Sequence, residues 1–250
     1  MALDFGAGPT LHHLLPLAPH VREIHVADCL PANLAHIRRW VQHEGSAHDW
    51  RPFTRHVLAC EGRVAASEAE VQAREALTRL RITRYLHGDA ARPEPLGLAH
   101  RPRYDIVMSC FCADSATADK RTWARYMAHI IGLLAPGGLL ITAALRRCSG
   151  YRVGTQRFPS ANIDEHDVAE LLKRHGFDMA RSRIGVEAVP DRRGYGAIVL
   201  ASAFRTDTED HRNSGAFGNS FGLAWPAASG KCWASSASTA SIAAFNPASN

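Results

Sequence analysis

The sequence of 250 residues lacks any run of the roughly 18 to 20 apolar residues that a membrane-spanning helix needs. Its N-terminus also lacks the basic segment, apolar stretch and small-residue cleavage site of a secretion signal. Lysine is scarce, with only three among 29 basic residues, and the arginines are scattered rather than clustered with aromatic side chains. We therefore expect a cytoplasmic protein that contacts neither a membrane nor nucleic acid, despite its formal charge of +5.

The six cysteines lack the spacing of a disulfide framework or of a zinc site. Only Cys110 and Cys112 lie close together, as Cys-Phe-Cys, whereas zinc sites usually show paired C-x-x-C motifs. The 14 histidines include no H-x-x-x-H pair with a third ligand nearby. We therefore expect reduced thiols and no bound metal.

Short strand-like runs alternate with amphipathic helical segments along the chain, and 46% of the residues are hydrophobic. This alternation predicts a mainly parallel sheet with helices on both faces. The last two strand-like runs follow each other without a helix between them, which predicts an antiparallel hairpin. We therefore expect an α/β fold with a doubly wound, mostly parallel, seven-stranded Rossmann-like sheet and an antiparallel closing hairpin.

The predicted elements form one domain, residues 1–205, followed by a tail. Strands are expected at residues 2–5, 23–28, 84–87, 104–110, 139–144, 179–189 and 196–203. Helices are expected after the first strand and at residues 31–43, 67–80, 120–134 and 164–174, with a Pro-Gly turn at residues 135–138. Residues 44–82 are expected to be an insertion between the second and third strands that carries one helix. The tail, residues 206–250, is rich in Ser, Ala, Gly and Asn, so we expect most of it to be disordered.

A pair of glycines follows the first predicted strand, and acidic residues follow the next two. Gly6 and Gly8 lie in a strand-to-helix turn, where the backbone can approach a ligand closely. The dinucleotide fingerprint would need a third glycine at position 11, which is leucine. Asp28 ends the second strand and can accept hydrogen bonds from ribose hydroxyls, whereas Asp89 can meet an adenine amino group. The pattern predicts an adenosine ligand without a 2′-phosphate.

Four parts of the sequence resemble a known family of methyltransferases. They are Asp4-Phe5-Gly6-Ala7-Gly8-Pro9-Thr10, the strand end Val26-Ala27-Asp28 with Asn33-Leu34 after it, His48-Asp49-Trp50-Arg51-Pro52 with Cys60-Glu61-Gly62, and Leu134-Ala135-Pro136-Gly137-Gly138. Together they resemble the S-adenosylmethionine-dependent methyltransferases of nicotinamide, phenylethanolamine and thioethers, over about residues 3–204. The resemblance implies a class I methyltransferase that uses S-adenosyl-L-methionine to methylate a nitrogen, sulfur, oxygen or carbon atom of a small molecule.

The resemblance also implies which residues contact cofactor and substrate. The implied cofactor residues are Asp4, Gly6, Gly8, Thr10, Asp28, Cys29, Asn33, Asp89, Ala90, Cys110 and Phe111. The implied substrate residues are Asp114, Arg147, Tyr151 and Ser160, and Tyr151 would orient the substrate for catalysis. No general base is needed, because the sulfonium is already activated and the enzyme mainly aligns the nucleophile with the methyl group.

Three features depart from the family. The family carries some tens of residues ahead of the first strand that form a lid, and this sequence starts almost inside that strand, so we expect the lid to be missing. His12 stands where the family has a cofactor-contacting tyrosine. Arg146 and Arg147, and Arg192 and Arg193 near the hairpin, stand where members that methylate amines carry carboxylates. Arginines that face the pocket would favour a neutral or anionic substrate; the alternative is that they are solvated loop charges.

Two other functions stay open at this stage. A truncated, non-catalytic relative could keep the nucleoside pocket and act as a binding or assembly partner. An RNA methyltransferase would suit the basic charge, but the sequence shows no recognisable RNA-binding appendage. For the small-molecule methyltransferase we expect a monomer.

Overall fold

The computed structural model of the protein describes residues 1–98, 103–189 and 194–206. Strands in these ranges are β1 (Ala2–Phe5), β2 (Ile24–Asp28), β3 (Ile82–His87), β4 (Tyr104–Cys110), β5 (Leu134–Leu145), β6 (Gly150–Val153), β7 (Gln156–Pro159), β8 (Arg183–Ala188) and β9 (Ala197–Phe204). The α-helices there are α1 (Leu14–Leu17), α2 (Pro31–Val41), α3 (Arg51–Cys60), α4 (Glu68–Arg81), α5 (Lys120–Ile131) and α6 (Glu165–Arg174).

Seven of these strands form one sheet in the order β3-β2-β1-β4-β5-β9-β8. The first five strands along the chain pair in parallel, and β9 pairs antiparallel with both β5 and β8. The strand order reverses between β1 and β4, which lie side by side although β2 and β3 separate them in sequence. Ligands bind at such a switch point in doubly wound sheets, beyond the C-terminal ends of the strands. The predicted fold class is confirmed.

Both faces of the sheet are buried, because neighbouring residues of one strand pack on opposite sides. In β4, Val107 packs with Trp123 of α5 in one core cluster. Met108 packs with Ile37 of α2 in a second cluster on the other face. The central strands therefore consist of nearly continuous apolar runs, as expected for a parallel sheet covered on both sides.

The insertion between β2 and β3 carries two helices, α3 and α4, rather than the one predicted. An ion pair holds them together and to α1: Arg74 donates to both carboxylate oxygens of Glu61, at 2.8 and 2.6 Å, and to the carbonyl of Leu15 at 3.1 Å. The Arg74 side chain is only 9% exposed. Glu61 belongs to one of the segments that carried the family resemblance, and its role here is structural.

The predicted turn at residues 135–138 is wrong as a boundary, because β5 already begins at Leu134. The glycine pair instead forms an irregularity inside the strand: Leu134 pairs with Tyr104, and the next pair joins Leu139 to Ile106. Gly137 has a φ of +69°, which glycine adopts at little cost. Proline and glycine therefore mark a bulge here rather than the end of the strand.

Other boundaries also differ from the prediction. The expected strand at 179–189 begins only at Arg183, because Asp178 caps a 3-10 turn at Met179–Arg181. An unpredicted two-stranded sheet, β6 and β7, contains Tyr151, which pairs with Phe158. The expectation of six reduced cysteines is wrong at Cys60, which is disulfide-bonded.

The domain boundary at residue 205 stays a prediction. Apart from Thr206, the predicted tail lies outside the described residues, as do Arg192 and Arg193. Within the described ranges, no helix combines the length and apolar character needed to cross a bilayer. The same ranges contain no group of three or more potential ligands that could hold a metal ion.

Replacing Arg74 tests the importance of the ion pair in the insertion. We expect Arg74→Ala to lower the free energy of unfolding by about 1 to 3 kcal/mol, because the buried Leu15 carbonyl and the more exposed Glu61 carboxylate both lose their donor. Arg63→Ala is the matched control, since its pair with Glu70 is exposed and should contribute little. Urea denaturation of both variants measures the difference, and equal losses of stability would contradict this structural role.

Candidate active site

The turn between β1 and α1 requires glycine at two positions. Gly6 and Gly8 have φ values of +74° and +59°. A Cβ atom on Gly6 would lie 2.3 Å from Sγ of Cys112, so a side chain there would clash with the segment after β4. At Gly8 the nearest atom to a Cβ would be Oγ1 of Thr10, at 4.0 Å, so the backbone here borders open space. Thr10 itself is buried and donates its hydroxyl to the carbonyl of Ala7.

Asp28 joins the end of β2 to this turn. Its Oδ2 accepts the backbone N–H of Gly8 at 2.8 Å. Its Oδ1 accepts the N–H of Leu30 at 2.8 Å and the side-chain amide of Asn33 at 3.0 Å. These three bonds leave about one of a carboxylate's four acceptor positions free. Asp28 is 6% exposed, so its carboxylate is largely buried. It lies at the rim of the sheet, by which we mean the C-terminal ends of β1 to β4 and the segments that follow them.

The end of β3 lies beside the end of β2. Gly88 donates its N–H to the carbonyl of Asp28 at 3.1 Å, which places Asp89 next to that residue. Asp89 accepts the N–H of Ala91 at 2.9 Å, so one oxygen shapes the local turn. Burial raises the pKa of Cys29, and the charges of Asp28 and then Asp89 raise it further. Both carboxylates therefore lie near Cys29, at the C-terminal edge of the sheet.

The segment after β4 completes this rim. Phe111 has a φ of +54° and donates its N–H to the carbonyl of Ala143 in β5, at 2.8 Å. Burial raises the pKa of Cys112, with the charges of Asp28 and Asp114 as the next causes. Cys112 therefore lies within electrostatic range of acids that follow two different strands. Burial also raises the pKa of Cys110 well above its ordinary value, so both thiols stay protonated at neutral pH.

Asp4 is a fully buried carboxylate in β1. Neither of its oxygens accepts a hydrogen bond from the part of the chain described here. Nδ1 of His13 lies 3.8 Å from Oδ2 of Asp4. Burial, and next the neighbouring His13, lower the pKa of His12 well below its ordinary value, so His12 is neutral at pH 7. The His12 ring stacks against Trp50 of the insertion, with ring centroids 6.3 Å apart.

Asp114 and Tyr151 form the other side of the candidate site. Asp114 is 2% exposed, and burial raises its pKa to about 6, although the N–H of Leu145 stabilises the charged form from 2.9 Å. Burial also raises the pKa of Tyr151, and a hydrogen bond with the Ser115 side chain opposes that effect. Ser160 is 1% exposed, and its hydroxyl has no hydrogen-bond partner among the described residues. The N–H of Ala161 donates to the carbonyl of Asp114, which brings the serine segment beside the acid.

The two arginines after β5 are paired with acids of α6 and its N-cap. Arg146 donates to both oxygens of Glu165, at 2.6 and 2.7 Å. Arg147 lies 3.3 Å from the Asp164 carboxylate, and its side chain is 60% exposed. Each positive charge is thus balanced by a neighbouring negative one. This favours the alternative that they are structural or solvated charges over a role in repelling an ammonium substrate.

The structure brings most of the residues predicted from the sequence to one rim. Ala90 was predicted to contact the cofactor, and in the structure its carbonyl oxygen lies 2.8 Å from Nδ1 of His129 in α5. Three residues that shape this rim had no predicted site role, namely Cys112, Ser115 and Gly88. A Cβ on Gly88 would lie 3.0 Å from the Phe5 ring and 3.1 Å from Cβ of Ala27, so the segment after β3 can approach the ends of β2 and β1 closely only because this residue is glycine. The sequence does contain one signal for this close approach, which is a glycine directly before Asp89.

Comparison with known proteins places this geometry in a family. The family model for the NNMT/PNMT/TEMT family matches residues 1–195. Human nicotinamide N-methyltransferase is 33% identical over 178 residues, which are 71% of this chain and 66% of that protein. Indolethylamine N-methyltransferase of Mus musculus is 32% identical over 174 residues, or 70% of this chain and 64% of that protein. Bovine phenylethanolamine N-methyltransferase is 34% identical over 175 residues, or 69% of this chain and 60% of that protein.

The chain thus covers less than two thirds of the length of these three relatives. Among solved structures, a SAM-dependent methyltransferase from Methanosarcina mazei superposes with a TM-score of 0.53 at 11% identity, and the match covers 82% of this chain and 92% of that one. This structural likeness supports the fold alone. The family match extends over more than three quarters of the sequence and includes the glycine turn and the acids after β2, β3 and β4. The chain belongs to the NNMT/PNMT/TEMT family, as the resemblance of its motifs predicted.

Proposed function

We propose that the protein transfers a methyl group from S-adenosyl-L-methionine to a nitrogen atom of a small molecule. The observation that carries this proposal is the convergence of carboxylates from successive strands around the glycine turn. Asp28, Asp89 and Asp114 all act on the cysteines of this rim, and Asp4 lies beneath it. The nitrogen acceptor is supported by the names of the relatives, each an N-methyltransferase.

The described residues fit this cofactor by charge and by space. The cofactor carries a positive sulfonium and a positive α-ammonium group, and the rim is rich in carboxylates. Asp4 offers a buried charge whose oxygens accept no hydrogen bond within the described ranges, and such a charge is stabilised by a nearby cation. Gly8 borders open space, so the backbone of the turn can approach a ligand. When bound, the cofactor supplies an electrophilic methyl group.

Asp28 would hold the ribose in this proposal. Its remaining acceptor position suits one ribose hydroxyl, while Gly8 and Asn33 keep the carboxylate in place. Because these donors fix the carboxylate before the ligand arrives, little side-chain entropy is lost on binding. Asp89, Cys29 and Ala90 would flank the adenine, and Gly6, Thr10, Cys110 and Phe111 would border the rest of the cofactor.

Asp114, Tyr151 and Ser160 would form the substrate side of the site. Above pH 6 the Asp114 carboxylate is charged and can accept an N–H of the acceptor molecule, which orients its nitrogen. The Tyr151 hydroxyl, next to Ser115, and the Ser160 hydroxyl, which has no hydrogen-bond partner in the described part of the chain, offer two further polar contacts. Arg147 would lie at the edge of this region, neutralised by Asp164. These groups position the nucleophile, and positioning supplies much of the rate enhancement in methyl transfer.

A small-molecule partner is part of this proposal. The monomeric state, the absence of nucleic-acid binding and the cytoplasmic location stay predictions from the sequence.

Removing the Asp28 charge tests the cofactor half of the proposal. We expect Asp28→Asn to weaken binding of S-adenosylhomocysteine about 10- to 100-fold in calorimetry, because one charge-assisted hydrogen bond contributes roughly 1.5 to 3 kcal/mol. Asp105→Asn is the matched control, since Asp105 is exposed and pairs with the N-terminus at the opposite edge of the sheet. A folded wild-type chain that binds no S-adenosylhomocysteine would contradict the proposal.

Transfer itself is tested with labelled S-adenosylmethionine and three acceptors: nicotinamide, an indolethylamine and phenylethanolamine. We expect label in at least one product, and a loss of transfer in Asp28→Asn that parallels its loss of affinity. Cofactor binding without transfer to any nitrogen compound in an extract of small molecules would support a binding role instead.

The pKa of Asp114 predicts a pH dependence of stability. Because burial raises its pKa from 3.8 to about 6, the folded chain holds a proton that the unfolded chain releases near pH 4. The contribution of this group to stability is therefore fully present below pH 4 and falls as the pH rises to about 6, by roughly 3 kcal/mol. The unfolding free energy of Asp114→Asn minus that of the wild type should therefore increase from pH 4 to about pH 6. A difference that stays constant from pH 4 to 7 would contradict the raised pKa.

A further inference from the structure

A groove of about 440 Å³ lies between α5 and α6, and none of the residues assigned to the candidate active site lines it. Its floor is apolar, because Trp123 and Leu171 are both nearly buried there. Its walls carry charged side chains from the two helices. An apolar floor between charged walls suits an extended polypeptide segment.

The groove has an excess of unpaired positive charge. Its two acids are already paired: Asp167 lies 2.6 Å from the Lys120 ammonium, and Glu170 lies 3.0 Å from Lys173. The remaining cations are three exposed arginines, and none has a carboxylate within 4.0 Å in the described ranges. They are Arg121, Arg125 and Arg174.

The chain leaves the described domain at the end of this groove. Thr206 donates both its N–H and its hydroxyl to the carbonyl of Gly176, at 2.9 and 2.8 Å. His175, the residue before Gly176, lines the groove. Burial lowers the pKa of His175, and the positive charges of Arg174 and Arg205 lower it further. An acidic segment that follows Thr206 would therefore start in a region of positive charge.

The sequence supplies such a segment at once. Residues 207–210 read Asp-Thr-Glu-Asp, so three of the first four residues after Thr206 are acidic. An extended chain covers about 3.3 to 3.6 Å per residue, so these four residues reach about 13 Å. The part of α6 between Arg174 and Asp167 is about 10 Å long, at 1.5 Å per residue. Length and charge therefore both match the groove.

We propose that residues 207–210 of this same chain occupy the groove between α5 and α6, with their carboxylates against Arg121, Arg125 and Arg174. The segment would connect two neighbouring helices of one face of the sheet. This inference does not depend on the methyl-transfer activity.

Cleavage by endoproteinase Glu-C after Glu209 tests the proposal on the full chain. Neutralising the groove with Arg121→Gln, Arg125→Gln and Arg174→Gln should speed this cleavage at least threefold, because the segment loses its partners. The matched control removes three exposed arginines elsewhere, by Arg22→Gln, Arg84→Gln and Arg183→Gln, and should leave the rate unchanged. Cleavage after Glu44, an exposed residue of the insertion, serves as the internal reference for folding and protease activity.

A second variant keeps the test valid if the groove variant fails to fold. Asp207→Asn with Asp210→Asn leaves the groove intact and should also speed cleavage after Glu209, relative to cleavage of the matching free peptide. Equal rates in the wild type and both variants overturn the proposal. Protection that increases with protein concentration also overturns it, because the segment would then occupy a second copy. A groove that binds a free Thr-Asp-Thr-Glu-Asp peptide without any change in cleavage after Glu209 would assign the groove to an acidic partner instead.

Discussion

The hydrogen bond between the N–H of Gly8 and the carboxylate of Asp28 joins β1 to β2 beside the switch point, which lies between β1 and β4. One end belongs to the turn after β1, the other to the end of β2. The bond forms only because Gly6 and Gly8 adopt positive φ values that place this N–H toward β2. The segment after β4 then packs against the same turn, with Cys112 against Gly6. The shape of the candidate site therefore follows from this one contact and the glycines around it.

The carboxylates of the rim differ in how their charge is balanced. Asp28 accepts three hydrogen bonds, whereas Asp114 accepts the N–H of Leu145 at 2.9 Å and further bonds from Ser115, and burial still raises its pKa to about 6. Neither oxygen of Asp4 accepts a hydrogen bond within the described ranges, and Nδ1 of His13 lies 3.8 Å from one of them. A carboxylate buried for stability alone would accept hydrogen bonds, as Asp28 and Asp114 do and Asp4 does not within the described ranges, since an unsatisfied buried polar group is costly. The imbalance is explained if a cationic ligand completes the site.

The sequence allowed the rim to be predicted because strand ends carry local signals. Glycines in a tight turn and an acid directly after a buried strand, as at Asp28, need no long-range information. The bulge in β5 could not be predicted, because Pro136 and Gly137 indicate a break in the chain but not whether the pairing with β4 resumes after it. The ion pair of Arg146 with Glu165 could not be predicted either, because the two residues are 19 positions apart and meet only in the folded chain. Sequence periodicity reports which face of an element is buried, but not which charges meet.

The most direct measurement of the central claim is a crystal structure of the chain with S-adenosylhomocysteine. The account predicts the ribose within hydrogen-bonding distance of the Asp28 carboxylate, the adenine beside Asp89, and the amino-acid part of the ligand over the turn at Gly6 and Gly8. A nucleoside bound at another edge of the sheet, or a rim in which Cys112 and its neighbours fill the space above the turn and keep the ligand out, would contradict it.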